Sequence, residues 1–516
     1  MNRWSVLGLL VAIAGALALR APQLALRPLH NDEAVNAVKV TELWQHGRYA
    51  YDPDEYHGPT LHYATLPFLG LSGAHSANDV QDGTLRMAPV AFGVGLILLL
   101  LLFRDGLGQA AVVWAALFTA ASPAMVFYSR YFIHEMLLVF FTALTLGSLW
   151  RYTQRRTVGW AISAGAGLGL MWATKETFVI TVAAMGLAAV VTGWTMVPAG
   201  GRLAGLKAWW IWRHAALAAA AALLVWLLFF SSFFTHWEGL GDSIRTYLPW
   251  LKRAGGRSPH IHPWNFYLAR LAWFHPAKGP AWSEALILIL AAVGGVVSLA
   301  RGKSPLHRFL VFYTIILTAA YCAISYKTPW CLLSFLDGMI LLAGVGAATL
   351  VGIVRSRRGQ GAIIAVILAL TVQLGWQAWR ASFVFAADRR NPYVYAQTAP
   401  DLLKLLQRVD GLARVAPGGY ETVVKVIAPE SDYWPLPWSL RRFAHVGWYE
   451  KIPDDPFAPI VVLDARLDAR LDDKSERKWI MAGLTELRPG KFLELYVELE
   501  LWKKYVETLP RNRADN

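Results

Sequence analysis

Eleven apolar runs of about 16 to 25 residues punctuate the chain, and each comes close to the ~20 residues that a helix needs to cross a bilayer. They fall at residues 4–19, 87–103, 110–128, 131–150, 158–174, 177–197, 215–234, 285–300, 309–325, 330–354 and 361–384. Hydrocarbon offers no partner to backbone N–H and C=O groups, so runs of this length fold as helices that satisfy themselves. The expected fold is therefore a polytopic α-helical membrane protein with about eleven transmembrane helices. Composition agrees, with 56% hydrophobic residues against 16% charged and a mean hydropathy of +0.37. The first run, preceded by Arg3 and ending in Ala16-Leu17-Ala18, also fits a cleaved signal peptide. With ten runs behind it, it reads better as an uncleaved span.

A net charge of +14 suggests nucleic acid until its placement is read. If the N-terminus is cytoplasmic, alternate loops carry Arg3; Arg104; Arg151, Arg155 and Arg156; Arg202, Lys207 and Arg213; Arg301, Lys303 and Arg308; and Arg355, Arg357 and Arg358. Short, basic, nearly acid-free loops on one side are the positive-inside signature, so the excess sets topology rather than a nucleic-acid patch. Those loops are too short for a nucleotide-binding domain, and the chain has no GxxxxGK[ST] loop. The two cysteines, Cys322 and Cys331, imply neither a disulfide nor a zinc framework.

The opposite side then receives a long first loop (20–86), a loop at 235–284 and everything after residue 384. The membrane part is expected at 1–384. Residues 385–516 regain charge, and their apolar runs shorten to strand length. ETVVKVIAPE (421–430) and APIVVLDA (458–465) read as buried strands, PDLLKLLQRV (400–409) as a helix, and KFLELYVELELW (491–502) as a strand or two. The prediction is a soluble extracytoplasmic α/β domain, with the whole protein in a prokaryotic cell membrane.

Four polar clusters fall on that same side. HNDEA (30–34) places Asp32 and Glu33 beside an apolar segment, where they read either as a helix start favoured by the macrodipole or as chemistry. In YSRYFIHEMLLVFF (128–141), Glu135 lies inside an apolar run, and an ionisable group at membrane depth is costly enough to mark function; the plainer reading pairs it with Arg130. WATKETFVI (172–180) holds Lys175 and Glu176, which taken alone read as an interfacial salt bridge. SYKTPW (325–330) brings Lys327, or simply starts a helix at Pro329 beside a Trp anchor. Together, carboxylates and cations at one membrane face suit an anionic lipid headgroup beside a hydroxyl acceptor that must lose its proton. YDPDEYHGPTLHY (51–63) and HIHPWNFYLARLAWFHP (260–276) offer stacking surfaces for a sugar ring. Their histidines His57, His62, His260 and His262 have no diagnostic metal-binding spacing.

This arrangement resembles the polytopic glycosyltransferases of the GT-C superfamily, which use polyprenyl-phosphate sugars, in particular the protein O-mannosyltransferase and aminoarabinose-transferase branch. HNDEA is similar to that family's first-loop Asp-Glu motif, SRYFIHEMLLVFF (129–141) to its second motif, and HGPTLHY (57–63) to its His/Lys-Pro-Pro segment. SYKTPW with the α/β tail resembles the prokaryotic flippase-activity-associated membrane proteins. The resemblance covers about residues 1–385. It implies Asp32 as general base with Glu33 supporting it, and Glu135 holding the acceptor or a divalent ion. Lys175, Arg130 and Arg270 would neutralise the leaving lipid phosphate, and His30, His57, Glu176 and Lys327 would join them in binding substrate. No cofactor beyond that divalent ion, for which Asp32 and Glu135 are the candidate ligands, is implied. The partners are a polyprenyl-phosphate sugar lipid and an acceptor protein, lipid or glycan. Two positions depart from the pattern: Glu135 stands where Asp is usual, and Gly58 replaces the first proline.

A lipid-linked sugar flippase, or an accessory to one, is the competing reading. It predicts ionisable residues near mid-membrane and repeated halves, whereas these clusters gather at one face and no repeat is visible. A non-catalytic scaffold whose tail binds partners is a third reading, against which the retained acids argue.

Overall fold

A computed structural model describes residues 2–54, 57–196, 211–255, 260–301 and 304–510. Each of the eleven runs is helical. Among the described residues eight helices are long and apolar enough to cross a bilayer: Arg3–Arg20, Asp82–Leu107, Glu135–Gln154, Phe178–Met196, Trp212–Phe230, Pro305–Ala323, Pro329–Ile353 and Arg357–Val384. Gln109–Ala121 and Pro123–Ser129 form one further span bent by 59°, and Val158–Trp172 and Ala285–Ala300 are shorter apolar helices. Numbered in chain order these are the first to eleventh spans. Arg202, Lys207 and Lys303, three of the basic loop residues, lie outside the described residues.

Small residues set the close packing, as expected where apolar burial does not distinguish a neighbouring helix from lipid. A Cβ on Gly165 of the fifth span would meet the Ala218 carbonyl of the seventh at 2.0 Å, and one on Gly346 of the tenth would meet the Leu290 carbonyl of the eighth at 2.0 Å. The bend in the third span has an identifiable cause. Ser122 caps the second half and Pro123 starts it. The buried Glu284 carboxylate then accepts from Ser122 Oγ at 2.5 Å, the Ala124 N–H at 2.9 Å and Tyr393 Oη at 2.6 Å. A carboxylate on a helix N-terminus answers both its free N–H groups and its dipole.

By their internal contacts the residues divide into two units. The first comprises Met1–Leu24, Glu42–Leu71 and Gly83–Tyr395; the second comprises Ala25–Thr41, Ser72–Asp82 and Ala396–Asn516. Two pieces of the long first loop thus group with the C-terminal segment. In that unit, Thr398 Oγ1 donates to the Leu29 carbonyl at 2.8 Å, Trp438 Nε1 to Asp82 at 2.9 Å and Arg441 to the Val80 carbonyl at 2.6 Å.

The second unit is built on five strands: β1 (Val424–Ile427), β2 (Val446–Tyr449), β3 (Ile460–Asp464), β4 (Trp479–Arg488) and β5 (Lys491–Glu498), in the order β2-β1-β3-β5-β4. β1 lies parallel to β2 and β3, whereas β5 runs antiparallel to β3 and β4. The fully buried β3 (IVVLD) occupies the centre, as a near-continuous apolar run should. The helices Asp401–Val415 and Leu499–Thr508 cover one face through Leu402, Leu405, Val409 and Leu501. KFLELYVELELW is one strand followed by a helix, because its period changes at Glu498 from two to that of an amphipathic helix.

Candidate functional site

In the first unit, three of the sequence motifs come together at the turn between the fifth and sixth spans. Lys175 in that turn donates from Nζ to the carboxylate of Glu135, the first residue of the fourth span, and both are buried. Burial alone would discharge the lysine, but Glu135 outweighs it and raises the Lys175 pKa. The adjacent Glu176 turns to other partners: His57 Nδ1 lies 2.8 Å from Oε2, and Tyr51 Oη donates to Oε1 at 3.2 Å. Burial works against its ionisation, yet His57 prevails and holds this carboxyl below the usual range.

The HGPT segment is stitched to the same turn. The Gly58 N–H donates to the Thr174 carbonyl at 3.1 Å and the Thr60 N–H to the Ala173 carbonyl at 3.0 Å. His134 Nε2, just before Glu135, lies 3.0 Å from the Gly58 carbonyl. The glycine that departs from the family's proline pair has a steric reason: a Cβ there would sit 2.2 Å from the Ala173 carbonyl oxygen. Gly58→Ala therefore forces the two strands of this clamp apart, at a cost of about 1–3 kcal/mol. Thermal unfolding in detergent checks this, and an unchanged Tm would mean that the clamp is looser than described.

SYKTPW and HIHP pair edge to edge. Ile261 and Tyr326 form an antiparallel bridge, the His262 N–H donates to the Ser325 carbonyl at 3.1 Å, and the Lys327 N–H to the His260 carbonyl at 2.8 Å. His260 Nδ1 and His262 Nε2 both approach Tyr395 Oη, at 2.6 and 3.2 Å. Two cations flank this aromatic cluster. The buried Lys327 ammonium donates to the carbonyls of His262 and Ile324. Arg270 stacks on Phe266, 3.5 Å from the ring centroid, and donates to the carbonyls of Phe266 and Pro392. Among the described residues neither has a carboxylate partner.

Arg130 is engaged elsewhere. Its guanidinium donates to the carbonyls of Leu19, Arg20, Pro22 and Gln23 at the end of the first span. It serves the free carbonyls of a helix C-terminus, so the Arg130–Glu135 pair does not describe it. Glu135 is paired with Lys175 instead, and that cation opposes a divalent ion at Glu135. Among the described residues no group of three or more His, Cys, Asp or Glu side chains is arranged to hold a metal.

The HNDEA motif lies in the second unit, and its helix-start reading is visible in the side chains. The helix Asn31–His46 starts here, with the His30 carbonyl accepting from the Ala34 N–H. Glu33, fully buried, accepts from the His30 N–H at 2.9 Å and from Arg27 at 2.7 Å. This is the back-bond of a capping box with an ion pair added. Asp32 has no such engagement: its side chain is 44% exposed and its carboxylate lies 3.8 Å from His30 Nδ1. His30 Nδ1 accepts from the Asp32 N–H at 3.1 Å, which requires that nitrogen to be unprotonated.

Burial holds the His30 pKa below its ordinary value, with Asp32 and Glu33 opposing the shift and Arg27 and Arg488 adding to it. The unfolded chain thus binds this proton more readily than the folded one. The stability His30 contributes is complete above the unfolded pKa of about 6.5 and is lost as pH falls towards the folded value. Tm should drop more between pH 7.5 and 5.5 in the wild type than in His30→Gln, and parallel profiles would refute this.

Sequence reasoning passed over Glu284 and Asp337. The first sits at a span boundary, where an acid is unremarked. The second interrupts the apolar run 330–354 and was legible. It is buried in the tenth span beside Gly338, whose Cα borders the Thr314 hydroxyl of the ninth, and its Oδ1, Tyr313 Oη and Thr314 Oγ1 are unpartnered among the described residues.

The helical bundle and the appended small sheet domain are those of the GT-C membrane glycosyltransferase fold. Residues 65–240 match the family described as dolichyl-phosphate-mannose-protein mannosyltransferase. ArnT from Cupriavidus metallidurans, solved with undecaprenyl phosphate bound, superposes with a TM-score of 0.63 at 15% identity, covering 95% of this chain and 98% of ArnT. The archaeal oligosaccharyltransferase AglB from Archaeoglobus fulgidus, solved with an inhibitory peptide and a dolichol-phosphate, gives 0.58 at 14% identity over 90% of this chain and 70% of AglB. No curated protein matches the sequence.

Proposed function

We propose that the protein transfers a sugar from a polyprenyl-phosphate donor to a hydroxyl-bearing acceptor on the outer face of the membrane. The observation that carries this reading is the pair of cations, Arg270 and Lys327, set in an aromatic and histidine cluster with no carboxylate among the described residues to neutralise them. A lipid phosphate supplies the missing charge. The family match and the solved structures with polyprenyl phosphates support the same donor class.

In the proposed step the acceptor oxygen attacks the anomeric carbon, the bond from that carbon to the phosphate oxygen breaks, and the configuration inverts. The acceptor proton passes to Asp32, the exposed carboxylate of the motif, while Glu33 fixes the helix that carries it. Arg270 and Lys327 take the charge of the leaving phosphate. Glu135 and Lys175 neutralise one another and hold the HGPT clamp, with Glu176 and His57 completing it.

The test is transfer by purified protein in liposomes from a panel of radiolabelled polyprenyl-phosphate sugars, with native membrane extract as acceptor. Label reaching an acceptor supports the reading and names the donor. One observation favours a flippase, namely the carboxylate Asp337 inside a span, the feature a transport pathway calls for. Under the transferase reading Asp337→Asn leaves transfer within about twofold of wild type, because the proposed step gives this carboxylate no part. Lipid-linked sugar crossing the bilayer, abolished by Asp337→Asn and with no transfer in either variant, would replace the transferase with the flippase.

A further inference from the structure

The seventh span ends in a turn that sends the chain back along it. Ser232, Phe233 and Phe234 all have left-handed backbone, with φ of 48°, 53° and 71°, a conformation that residues carrying a Cβ seldom adopt. Hydrogen bonds hold the turn: Ser231 Oγ accepts from the Phe234 N–H at 3.0 Å, and the Ser231 carbonyl from the His236 N–H at 2.8 Å. The helix Glu238–Arg245 follows, and two contacts fix its level. A Cβ on Gly239 would sit 2.2 Å from the carbonyl oxygen of Phe230, the last residue of the span, and Trp226 Nε1 donates to Ser243 Oγ at 3.0 Å. Trp226 lies four residues before that end, which is ~6 Å along the axis. This helix therefore lies beside the last turn of a membrane span instead of beyond it.

Its outward side is apolar. Thr246 has helical backbone and leads into the helix Tyr247–Gly255, so positions can be followed across both at ~100° per residue. Trp237, Ile244, Leu248 and Leu251 then fall within a sector of ~60°, and they are 57%, 59%, 64% and 63% exposed. Gly239, Ser243 and Thr246, on the opposite side, are buried, and Thr246 Oγ1 donates to the Pro53 carbonyl at 3.1 Å. Glu238, Asp242 and Arg245 share a third side, where Arg245 pairs with Asp242 at 3.4 Å. Three sides of unlike character call for three surroundings: protein, water and an apolar medium. Water is a poor medium for a continuous apolar stripe of this kind. At this depth the apolar medium is the hydrocarbon that already surrounds the seventh span, whose Leu217, Leu223 and Leu224 are likewise exposed.

We propose that residues 237–251 are seated in the membrane interface with the lipid surface as their partner: Trp237, Ile244, Leu248 and Leu251 enter the acyl region, while Glu238 and Arg245 stay in water. Amphipathic helices that lie in the interface bury their apolar face by ~5–10 Å, and the Trp226 contact sets a depth in that range. A water-soluble partner would have to reach the same depth to cover the stripe. The loop 235–284 is thus held by lipid at the point where it supports the first loop, since Pro53 is two residues from Tyr51, which donates to Glu176. The inference rests on the bundle alone and does not depend on the transferase reading.

Electron paramagnetic resonance of purified protein in liposomes of phosphatidylethanolamine and phosphatidylglycerol tests it. A nitroxide is attached in turn to Ile244→Cys, Leu248→Cys, Leu251→Cys and Arg245→Cys, with wild type, which keeps Cys322 and Cys331, as the blank. The three labels on the stripe should be relaxed severalfold more by oxygen, which concentrates in lipid, than by a nickel chelate, which stays in water, and Arg245→Cys should show the reverse order. Chelate relaxation on the stripe equal to that at Arg245→Cys would put the helix in water. Labels immobilised and shielded from both reagents would mean that a second copy of this chain covers the stripe. Either result overturns the assignment. Should one stripe variant fail to fold, the other two read the same side.

Discussion

Lys175→Met is expected to destabilise the protein by about 3–5 kcal/mol, the cost of leaving a buried carboxylate without its partner. The prediction rests on burial of both members: Lys175 is 6% exposed and Glu135 3%, so water can neither screen the pair nor replace the lost ammonium. It also rests on local geometry. The residues around Lys175 receive the backbone of Gly58 and Thr60, so a disturbance there reaches the first-loop clamp as well as the fourth span. The double variant Lys175→Met/Glu135→Leu removes both charges together and should regain most of the lost stability, since an apolar pair commonly substitutes for a buried ion pair without net cost. It should nevertheless remain inactive, because the first turn of the fourth span and the clamp are then held by packing alone. Thermal unfolding in detergent and the liposome transfer assay separate these effects. Single and double variants of equal stability would show that the pair contributes little. An active double variant would remove Glu135 and Lys175 from the positioning role.

The helical part was legible because hydrocarbon leaves a sequence few alternatives: all eleven apolar runs became helices, their lengths fixed by bilayer thickness rather than by local propensity. The sheet was read less completely. Ile460–Asp464 and Val424–Ile427 declared themselves as continuous apolar runs, whereas Val446–Tyr449 is four residues long and only partly buried, and the alternation in Trp479–Arg488 is broken by two irregularities in its pairing with β5. At the site, the residue types were readable but their partners were not. Arg130 and Glu135 are five apart, a spacing that suggests a pair, yet Arg130 spans 110 residues to the end of the first helix and Glu135 reaches 40 residues ahead to Lys175. Tertiary partners of this kind have no local signature. Gly58 shows the same limit: the departure from proline was visible in the sequence, but its cause, the Ala173 carbonyl, was not.

Asp32→Asn is expected to reduce transfer by about 10²–10⁴-fold, the usual contribution of a positioned general base, while leaving stability unchanged to within about 0.5 kcal/mol. Stability should hold because the Asp32 side chain is half exposed and, among the described residues, its closest charged neighbour is His30 at 3.8 Å. Asparagine keeps the shape and still suits a helix start. The adjacent acid predicts the reverse order of effects. Glu33→Gln removes the charge that Arg27 pairs with at 2.7 Å in a buried setting, so it should cost stability first, and activity only in so far as the helix carrying Asp32 shifts. A pH profile separates the two further. Rescue of Asp32→Asn by raising pH would indicate that solvent base reaches the acceptor, whereas Glu33→Gln should not respond. If instead Asp32→Asn retains full transfer, or if it lowers Tm as much as Glu33→Gln, the motif is a helix start alone and the base must be sought among the remaining carboxylates. Two neighbouring acids, one committed to holding the fold and one left exposed, are the arrangement that the proposed base requires: a carboxylate kept in place without being neutralised.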